Sequence, residues 1–302
     1  MKKDLISIAD LNKAEVEELL ELAAKLKSGQ EKPMLAGKTL ALIFEKPSLR
    51  TRVTFEAGMT QLGGHAIYLS PNDIQLGARE TVADAARNLE RWVDAIAART
   101  FKHKTVQELA ENAGVPVINA LSDEEHPCQA LADFLTIKEK KGNLQGIKVV
   151  YIGDANNVCN SLYLLAGLLG VHFVACCPEG YKVSIDILRV GEKFSATSGA
   201  KLEIIDFPAK AVEGADVIYT DVWVSMGQEE EAKKRLKIFK DYQVNAELVA
   251  KAKDDVIVMH CLPAKRGYEI TDEVLDGPHS VVFDEAENRL HAQKALLVKL
   301  MK

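Results

Sequence analysis

The sequence lacks the features that mark several large classes of protein. Its five cysteines form no CxxC pair and show no metal-ligand spacing, which predicts free thiols in a reducing cytoplasm. Lys and Arg total 38 against 44 Asp and Glu, and the net charge of −6 argues against nucleic acid as a partner. We therefore expect a protein that binds neither nucleic acid nor a metal.

Long apolar segments are also missing. The longest run, LYLLAGLLGVHFVACC at 162–177, is short for a membrane span and contains His172. Gly170 divides it into a predicted helix and a predicted strand. The first ten residues, MKKDLISIAD, have two lysines but no apolar core of a signal peptide. We therefore expect no association with a membrane.

Short β-branched runs alternate along the chain with amphipathic helical patterns. The predicted strands are KTLALIFE, HAIYLS, AIAART and PVINAL in the first half, and IKVVYIGD, HFVACC, KLEIIDF, VIYTDVW and DVIVMHCLP in the second. Strands that alternate with helices predict parallel sheets covered on both faces. The polar segment KEKKGNLQG is the only plausible linker. The pattern therefore predicts two α/β domains of similar size, with the boundary after residue 141.

Polar residues collect where the predicted strands end. The segments that follow strands are SLRTR at 48–52, Arg99, SDEEHPCQ at 122–129, ANNVCNS at 155–161, DVWVSMG at 221–227 and HCLPAKRG at 260–267. Ligands of open α/β sheets bind beyond the carboxyl ends of the strands. We therefore expect these segments to form the functional site.

The SLRTR segment is suited to bind a phosphate. Ser48 is a candidate N-cap of the following helix, whose first N–H groups and partial positive charge favour an anion. Arg50 adds a planar fork and Thr51 a hydroxyl. The structural alternative is a capped helix with two solvated arginines. Arg99, at a second strand end, favours the phosphate because two converging arginines suit a dianion.

Two further motifs allow both a catalytic and a structural interpretation. His126 opens a helix and could donate to a carbonyl oxygen, although a lone histidine more often only packs. Cys261 follows a strand next to His260, which suggests a nucleophilic pair. Adjacent strand residues point to opposite faces, however, and a buried inert thiol is the common alternative.

The polar residues of the second half suit an amino acid. GDANN, at 153–157, lacks the glycines of a dinucleotide fingerprint, but Asn156 and Asn157 offer amides to a carboxylate or an amide. Asp221 would suit an ammonium group, with Ser225 four residues later. The structural alternatives are a turn-forming Asn pair and an N-cap Asp.

In this order, the motifs FEKPSLRTR, HPCQALADFLT, GDANNVCNS, DVWVSMG, HCLPA and EAENR resemble the aspartate/ornithine carbamoyltransferase family over nearly the whole chain. The resemblance implies two doubly wound parallel-sheet domains with the active site between them. Residues 1–141 would bind carbamoyl phosphate and residues 142–284 ornithine, while the C-terminal helix, 285–302, would pack back on the first domain. It also implies a homo-oligomer, a trimer or a multiple of trimers, and no cofactor.

The resemblance assigns roles to individual residues. Carbamoyl phosphate would be bound by Ser48, the backbone of Leu49, Arg50, Thr51, Arg99, His126, Gln129, Cys261, Leu262, Arg289 and, from a neighbouring subunit, Gln75. Ornithine would be bound by Asn157, Asp221, Ser225 and Met226. The catalytic residues would be Arg99, His126, Asp221 and Cys261, with His126 and Arg99 polarising the carbonyl.

Several alternatives remain open at this point. An aspartate-specific member should offer an arginine where this chain has DVWVSMG, whereas members acting on putrescine or N-acetylornithine would need a different amine site. An NAD-dependent oxidoreductase with two Rossmann-like halves is disfavoured because no strand is followed by GxGxxG. A non-catalytic homologue should have lost Arg50, His126 or Cys261, and all three are present.

Overall fold

The computed structural model describes residues 1–29, 33–225, 227 and 229–302. Contacts divide the chain into a first unit, Met1–Leu135 with Glu287–Lys302, and a second unit, Thr136–Ala286. The chain passes between the units inside two helices, Pro127–Lys141 and Val282–Met301. The first division, between Leu135 and Thr136, therefore lies inside a helix and before the predicted linker KEKKGNLQG. That helix continues to Lys141, through the lysine-rich start of the linker.

The first unit is built on a four-stranded parallel sheet. Its strands are β1 (Thr39–Phe44), β2 (His65–Leu69), β3 (Ala95–Arg99) and β4 (Val117–Leu121). Its helices are α1 (Lys13–Lys27), α2 (Arg50–Gln61), α3 (Pro71–Ile74), α4 (Val82–Leu89), α5 (His103–Asn112) and the start of α6 (Pro127–Lys141), with a 3₁₀ turn at Ile8–Asp10. The strand order is β2-β1-β3-β4. The direction of winding therefore reverses between β1 and β3.

The second unit contains a five-stranded parallel sheet. Its strands are β5 (Lys148–Ile152), β6 (His172–Cys176), β7 (Leu202–Ile205), β8 (Val217–Thr220) and β9 (Ile257–His260). Its helices are α7 (Asn157–Leu169), α8 (Ile185–Ser198), α9 (Pro208–Ala211), α10 (Ala232–Ile238), α11 (Ala246–Val249), α12 (Asp272–Leu275) and the start of α13 (Val282–Met301), with 3₁₀ turns at Glu229–Glu231 and Lys240–Tyr242. The order β7-β6-β5-β8-β9 places the reversal between β5 and β8.

Both sheets are covered on their two faces. In the first unit, Ala41 and Ile43 of β1 pack in one apolar cluster with α4 and α5, while Leu40, Leu42 and Phe44 are buried on the opposite face. The second unit has its own cluster around Val150, Ile218 and Val258. Continuous burial of this kind is typical of parallel strands. It confirms the predicted α/β fold with two doubly wound parallel sheets.

The nine predicted strands are all present, but several short helices were not predicted. α3, α9, α11 and α12 have four residues each and α10 has seven, which is too short for an amphipathic period to be clear in the sequence. Across the described ranges, we find no helix with the length and apolarity needed to span a bilayer.

Candidate active site

The first reversal point, at the ends of β1 and β3, carries the predicted phosphate segment. Helix α2 begins at Arg50 with Leu49 as its N-cap, and no side chain caps it. The expectation that Ser48 is the N-cap is therefore wrong, because the helix starts one residue later than a Ser48 cap requires. The side chain of Leu49 is 72% exposed, which leaves only its backbone as a candidate contact. Thr51 is buried in the first turn.

Three arginines surround His126, which lies immediately before α6. The imidazole is buried, and this burial lowers its pKa well below the usual value. The positive charges of Arg289, Arg99 and Arg50 lower that pKa further. His126 is therefore neutral at pH 7 in a strongly cationic environment. Such an environment favours a dianion, and a neutral imidazole can donate one hydrogen bond to a carbonyl oxygen.

Arg289 on α13 connects two of these elements. Its Nη1 donates to Oε1 of Gln129 at 2.5 Å, and its Nη2 donates to Oγ1 of Thr51 at 3.0 Å. Gln129 in turn donates from Nε2 to Oδ1 of Asp133 at 2.7 Å. The fold therefore brings together residues from α2, α6 and α13 that are far apart in the sequence. Asp133 lies within the HPCQALADFLT motif, but nothing in the sequence assigned it a role.

Gln75 is not part of this group in its own chain. It is an exposed residue after α3 with a left-handed backbone, at φ 41°. The segment follows β2, the edge strand of the first sheet, whereas Arg50 follows β1 and Arg99 ends β3. Its predicted action in a neighbouring subunit remains a prediction.

The second reversal point, at the ends of β5 and β8, joins Asn156 to Asp221. Asn156 caps α7 by accepting at its side-chain oxygen from the N–H groups of Val158 and Cys159. Its Nδ2 donates to Oδ2 of Asp221 at 2.7 Å. Asn157, the first residue of α7, follows directly. The structure therefore fixes the carboxylate of Asp221 beside the start of the helix that carries Asn157.

Cys261 completes this group. Its Sγ donates to Oδ1 of Asp221 at 3.1 Å, and Asp221 itself is buried. Cys261 is half-buried, whereas the other four cysteines, at 128, 159, 176 and 177, are fully buried; all five are free thiols. Burial raises the pKa of Cys128 to about 12 and that of Cys159 well above its usual value. Cys261 therefore differs from the inert buried thiols in both exposure and partner.

His260 has a structural role that the sequence did not reveal. Its Nδ1 accepts from the N–H of Leu262 at 2.9 Å, so its Nε2 carries the proton and donates to Glu269 at 3.0 Å. Leu262 has φ 56°, a left-handed conformation that is unfavourable for a branched side chain. The buried His260–Glu269 pair holds the backbone in the turn that follows Cys261.

Among the described residues, Asp221, His260 and Cys261 also form a cluster of possible metal ligands. Their ligand atoms lie within 4.8 Å of one another. The sequence predicted no metal and placed His260 and Cys261 on opposite faces of a strand. The two side chains bond to different partners: Cys261 donates to Asp221, whereas His260 bonds to Leu262 and Glu269. Each group in the cluster therefore already makes a hydrogen bond inside the protein. The arrangement suits the transfer of a proton.

The segment after Asp221 is held by a residue that sequence reasoning missed. Arg235 on α10 donates from Nη1 to Oδ2 of Asp154 at 2.6 Å and to the carbonyl of Trp223 at 3.0 Å. Trp223 is buried and stacks on Phe239, with ring centroids 5.9 Å apart. Ser225, two residues later, is half-buried. The predicted ligand Met226 lies outside the described residues.

Comparisons with known proteins identify the family of the chain. The profile described as "Aspartate/ornithine carbamoyltransferase, carbamoyl-P binding domain" matches residues 3–139, and "Aspartate/ornithine carbamoyltransferase, Asp/Orn binding domain" matches residues 145–300. The chain belongs to the aspartate/ornithine carbamoyltransferase family. The predicted resemblance is therefore confirmed.

Individual members of the carbamoyltransferase family are similar over the full length. The chain is 56% identical to the ornithine carbamoyltransferase of Pyrococcus horikoshii over 303 residues, covering 99% of this chain and 96% of that protein. It is 56% identical to that of Methanosarcina mazei over 306 residues, with 100% of both covered. The solved structure of ornithine carbamoyltransferase from Pyrococcus furiosus matches with a TM-score of 0.96 and 55% identity, covering 99% of this chain and 96% of that one.

The predicted site residues of this carbamoyltransferase family member fall into two groups, one in each unit. Arg50, Thr51, Arg99, His126, Gln129 and Arg289 come together in the first unit, and Asn157, Asp221, Cys261 and Leu262 in the second. Sequence reasoning missed the supporting residues Asp133, Arg235 and Glu269. Each is a charged residue in or near a helix or turn, where the sequence alone indicates a solvated surface.

Proposed function

We propose that this protein transfers the carbamoyl group of carbamoyl phosphate to the δ-amino group of L-ornithine, giving L-citrulline and phosphate. The observation that carries this proposal is the opposite character of the two reversal points. Arg50, Arg99 and Arg289 surround a neutral His126 in the first unit, whereas the carboxylate of Asp221 accepts from Cys261 in the second. One suits a dianion and the other a cationic amino acid. The names of the full-length relatives support the same reaction.

Binding of carbamoyl phosphate is assigned to the first unit. Ser48, the backbone of Leu49, Arg50 and Thr51 would hold the phosphate at the start of α2, where free N–H groups and the helix dipole favour an anion. Arg99, His126 and Gln129 would hold the carbamoyl group, with Arg289 beside the phosphate. The neutral His126 would donate to the carbonyl oxygen and stabilise the negative charge that develops on it.

Binding of ornithine is assigned to the second unit. Asn157 would bind the α-carboxylate, and Asp221, Ser225 and Met226 the α-amino group. Cys261 and the backbone of Leu262 would lie near the δ-amine and the carbamoyl group. The Asn156–Asp221 hydrogen bond supports this division because it fixes the carboxylate next to Asn157.

The reaction requires an uncharged δ-amine, although alkyl ammonium groups titrate near pH 10 in water. The free amine attacks the carbamoyl carbon, a tetrahedral oxyanion forms, and the bond from carbon to the phosphate oxygen breaks. The proton lost by the amine would pass to Asp221 or Cys261, or to the departing phosphate. The hydrogen bond from Cys261 to Asp221 supplies the path for such a relay. This displacement consumes no redox equivalent and needs no organic cofactor.

Assembly, location and metabolic direction belong to the same proposal. A trimer, or a multiple of trimers, would let the exposed Gln75 complete the site of a neighbouring subunit. Five free thiols suit a reducing cytoplasm. A relative from Pyrococcus furiosus, 55% identical over 303 residues, is named "Ornithine carbamoyltransferase, anabolic", which supports a role in arginine biosynthesis.

The decisive experiment supplies carbamoyl phosphate with L-ornithine, L-aspartate, putrescine or N-acetylornithine in parallel and measures each carbamoylated product. We expect citrulline from ornithine and little product from the other amines. Turnover of a different amine would retain the phosphate half of the proposal and refute the assignment of Asp221. The oxidoreductase alternative predicts NADH binding, which a fluorescence titration of the same protein would detect.

A further inference from the structure

Asp133 is a fully buried carboxylate one helical turn after Gln129 on α6. Removing a charged carboxylate from water is costly unless it receives hydrogen bonds. One of its bonds comes from Gln129, whose Nε2 donates to Oδ1 at 2.7 Å. Asp133 therefore contacts Gln129, one of the residues of the first unit that are predicted to bind carbamoyl phosphate.

Gln129 stands between two groups of opposite hydrogen-bonding character. A carboxylate only accepts hydrogen bonds and a guanidinium only donates them. The amide of Gln129 must therefore direct its nitrogen to Asp133 and its oxygen to Arg289, as the distances of 2.7 Å and 2.5 Å show. The opposite orientation would place two donors face to face at Arg289. Asp133 thus selects one of the two amide orientations.

The selected orientation of the Gln129 amide also fixes the position of Arg289. Arg289 binds Gln129 through Nη1 and Thr51 through Nη2, so its planar fork is held at two points. If the amide rotated, Arg289 would lose one point and gain a repulsive neighbour. The fork would then keep its bond from Nη2 to Thr51 but lose the bond from Nη1 that orients it.

We propose that Asp133 is a positioning residue for carbamoyl phosphate: it orients the Gln129 amide and, through it, the fork of Arg289. The identity of the substrate in this role rests on the proposed function, whereas the chain of hydrogen bonds from Asp133 through Gln129 to Arg289 does not. It predicts that the pair tolerates an exchange of amide and carboxylate. The double variant Gln129→Glu with Asp133→Asn keeps one donor, one acceptor for Arg289 and the same total charge.

The test compares Asp133→Asn, Gln129→Glu and the double variant, with inorganic phosphate as the probe in calorimetric titrations. We expect Asp133→Asn to weaken phosphate binding about tenfold, because an amide at 133 no longer fixes the orientation. Gln129→Glu alone should weaken binding by about a hundredfold, because two carboxylates then face each other. The double variant should recover to within about fivefold of the unmodified protein.

Kinetics separate positioning from general stability. The single variants should raise the KM for carbamoyl phosphate and leave the KM for ornithine unchanged at saturating carbamoyl phosphate. The control is Asp94→Asn, which removes a carboxylate that pairs with Lys38 and with the N–H of Thr39 at the start of β1. It should lower the melting temperature without changing either KM.

Two results would overturn the role of Asp133. One is unchanged phosphate affinity in Asp133→Asn, and the other is a double variant no better than Gln129→Glu alone. Failure of the proposed function looks different, because the unmodified protein would then bind phosphate without making citrulline. The phosphate titrations would still decide whether Asp133 acts through Gln129.

Discussion

The two units use one architecture for opposite electrostatics. Each has a parallel sheet whose winding reverses beside its first strand, between β1 and β3 in one and between β5 and β8 in the other. The first reversal point carries arginines around a neutral histidine, and the second carries a carboxylate, amides and a thiol. The comparison teaches that the fold determines where a ligand binds, while the residues after the strands determine which ligand.

The two points also differ in what supports them. In the first unit, Arg289 comes from the C-terminal helix and reaches Thr51 of α2, 238 positions earlier in the chain. In the second, the hydrogen bond from Asn156 to Asp221 links neighbouring strand ends directly, and Arg235 reaches back to Asp154. The cationic site therefore depends on a helix from the end of the chain, whereas the hydrogen bonds that support the acidic site join residues closer together in the sequence.

The largest expected effect comes from removing Arg50. Arg50→Ala should lower kcat/KM by about a thousandfold, because one preorganised charge at the reacting oxygens is worth a factor of that order. Phosphate binding should be lost as well, which a calorimetric titration measures. The matched control is Arg52→Ala on the same helix, since Arg52 pairs with Glu56 and stacks over Tyr68. Tight phosphate binding by Arg50→Ala would contradict the assignment of a cationic, phosphate-binding site to the first unit.

Asp221→Asn should produce the next largest effect, and only on the amine side. Without the carboxylate, the bonds from Asn156 and Cys261 lose their charged acceptor, and we expect kcat/KM for ornithine to fall about a hundredfold. The affinity for phosphate should be unchanged. Equal losses for both substrates in steady-state kinetics would show that the two groups do not act separately.

A mixing experiment asks whether Gln75 completes the site of a neighbouring subunit. If Gln75 acts in a neighbouring subunit of a trimer, an impaired Gln75→Ala variant and the impaired Asp221→Asn variant should complement each other. Random reassembly of equal amounts should restore about a quarter of the sites, since each site needs one intact residue from each of two subunits. Citrulline formation after mild dissociation and mixing measures this, with each variant reassembled alone as the control. The absence of recovery would place Gln75 outside the shared site.

The strand ends could be predicted from the sequence, but their supports could not. Arg50, Arg99, Asp221 and Cys261 follow buried apolar runs, and the period of those runs is a local property of the sequence. Ser48 is a good N-cap by residue type and predicts a start of α2 one residue too early, whereas in the structure Leu49 is the N-cap and the helix begins at Arg50. Residue type alone does not determine which residue becomes the N-cap of a helix.

Long-range partners explain the rest of the difference. Glu269, Arg235 and Asp133 look like ordinary surface charges in the sequence, yet they are buried against His260, Asp154 and Gln129. Their roles depend on distances that only the folded sheet order sets. Arg289 could be predicted only from the resemblance to a family, because no local sequence pattern connects it to Thr51.

The smallest expected effect tests the cationic environment through stability. Burial and the three arginines lower the pKa of His126, so the imidazole is neutral in the folded protein while the unfolded chain binds a proton below about pH 6.5. The free energy of unfolding should therefore fall as pH decreases below 6.5, by up to about 1.4 kcal/mol per pH unit from this residue. His126→Asn removes that contribution, so its urea stability should decrease less between pH 7.5 and 5.5 than that of the unmodified protein at the same concentration. Parallel pH dependences would mean that His126 does not lie in the cationic field that distinguishes the first unit from the second.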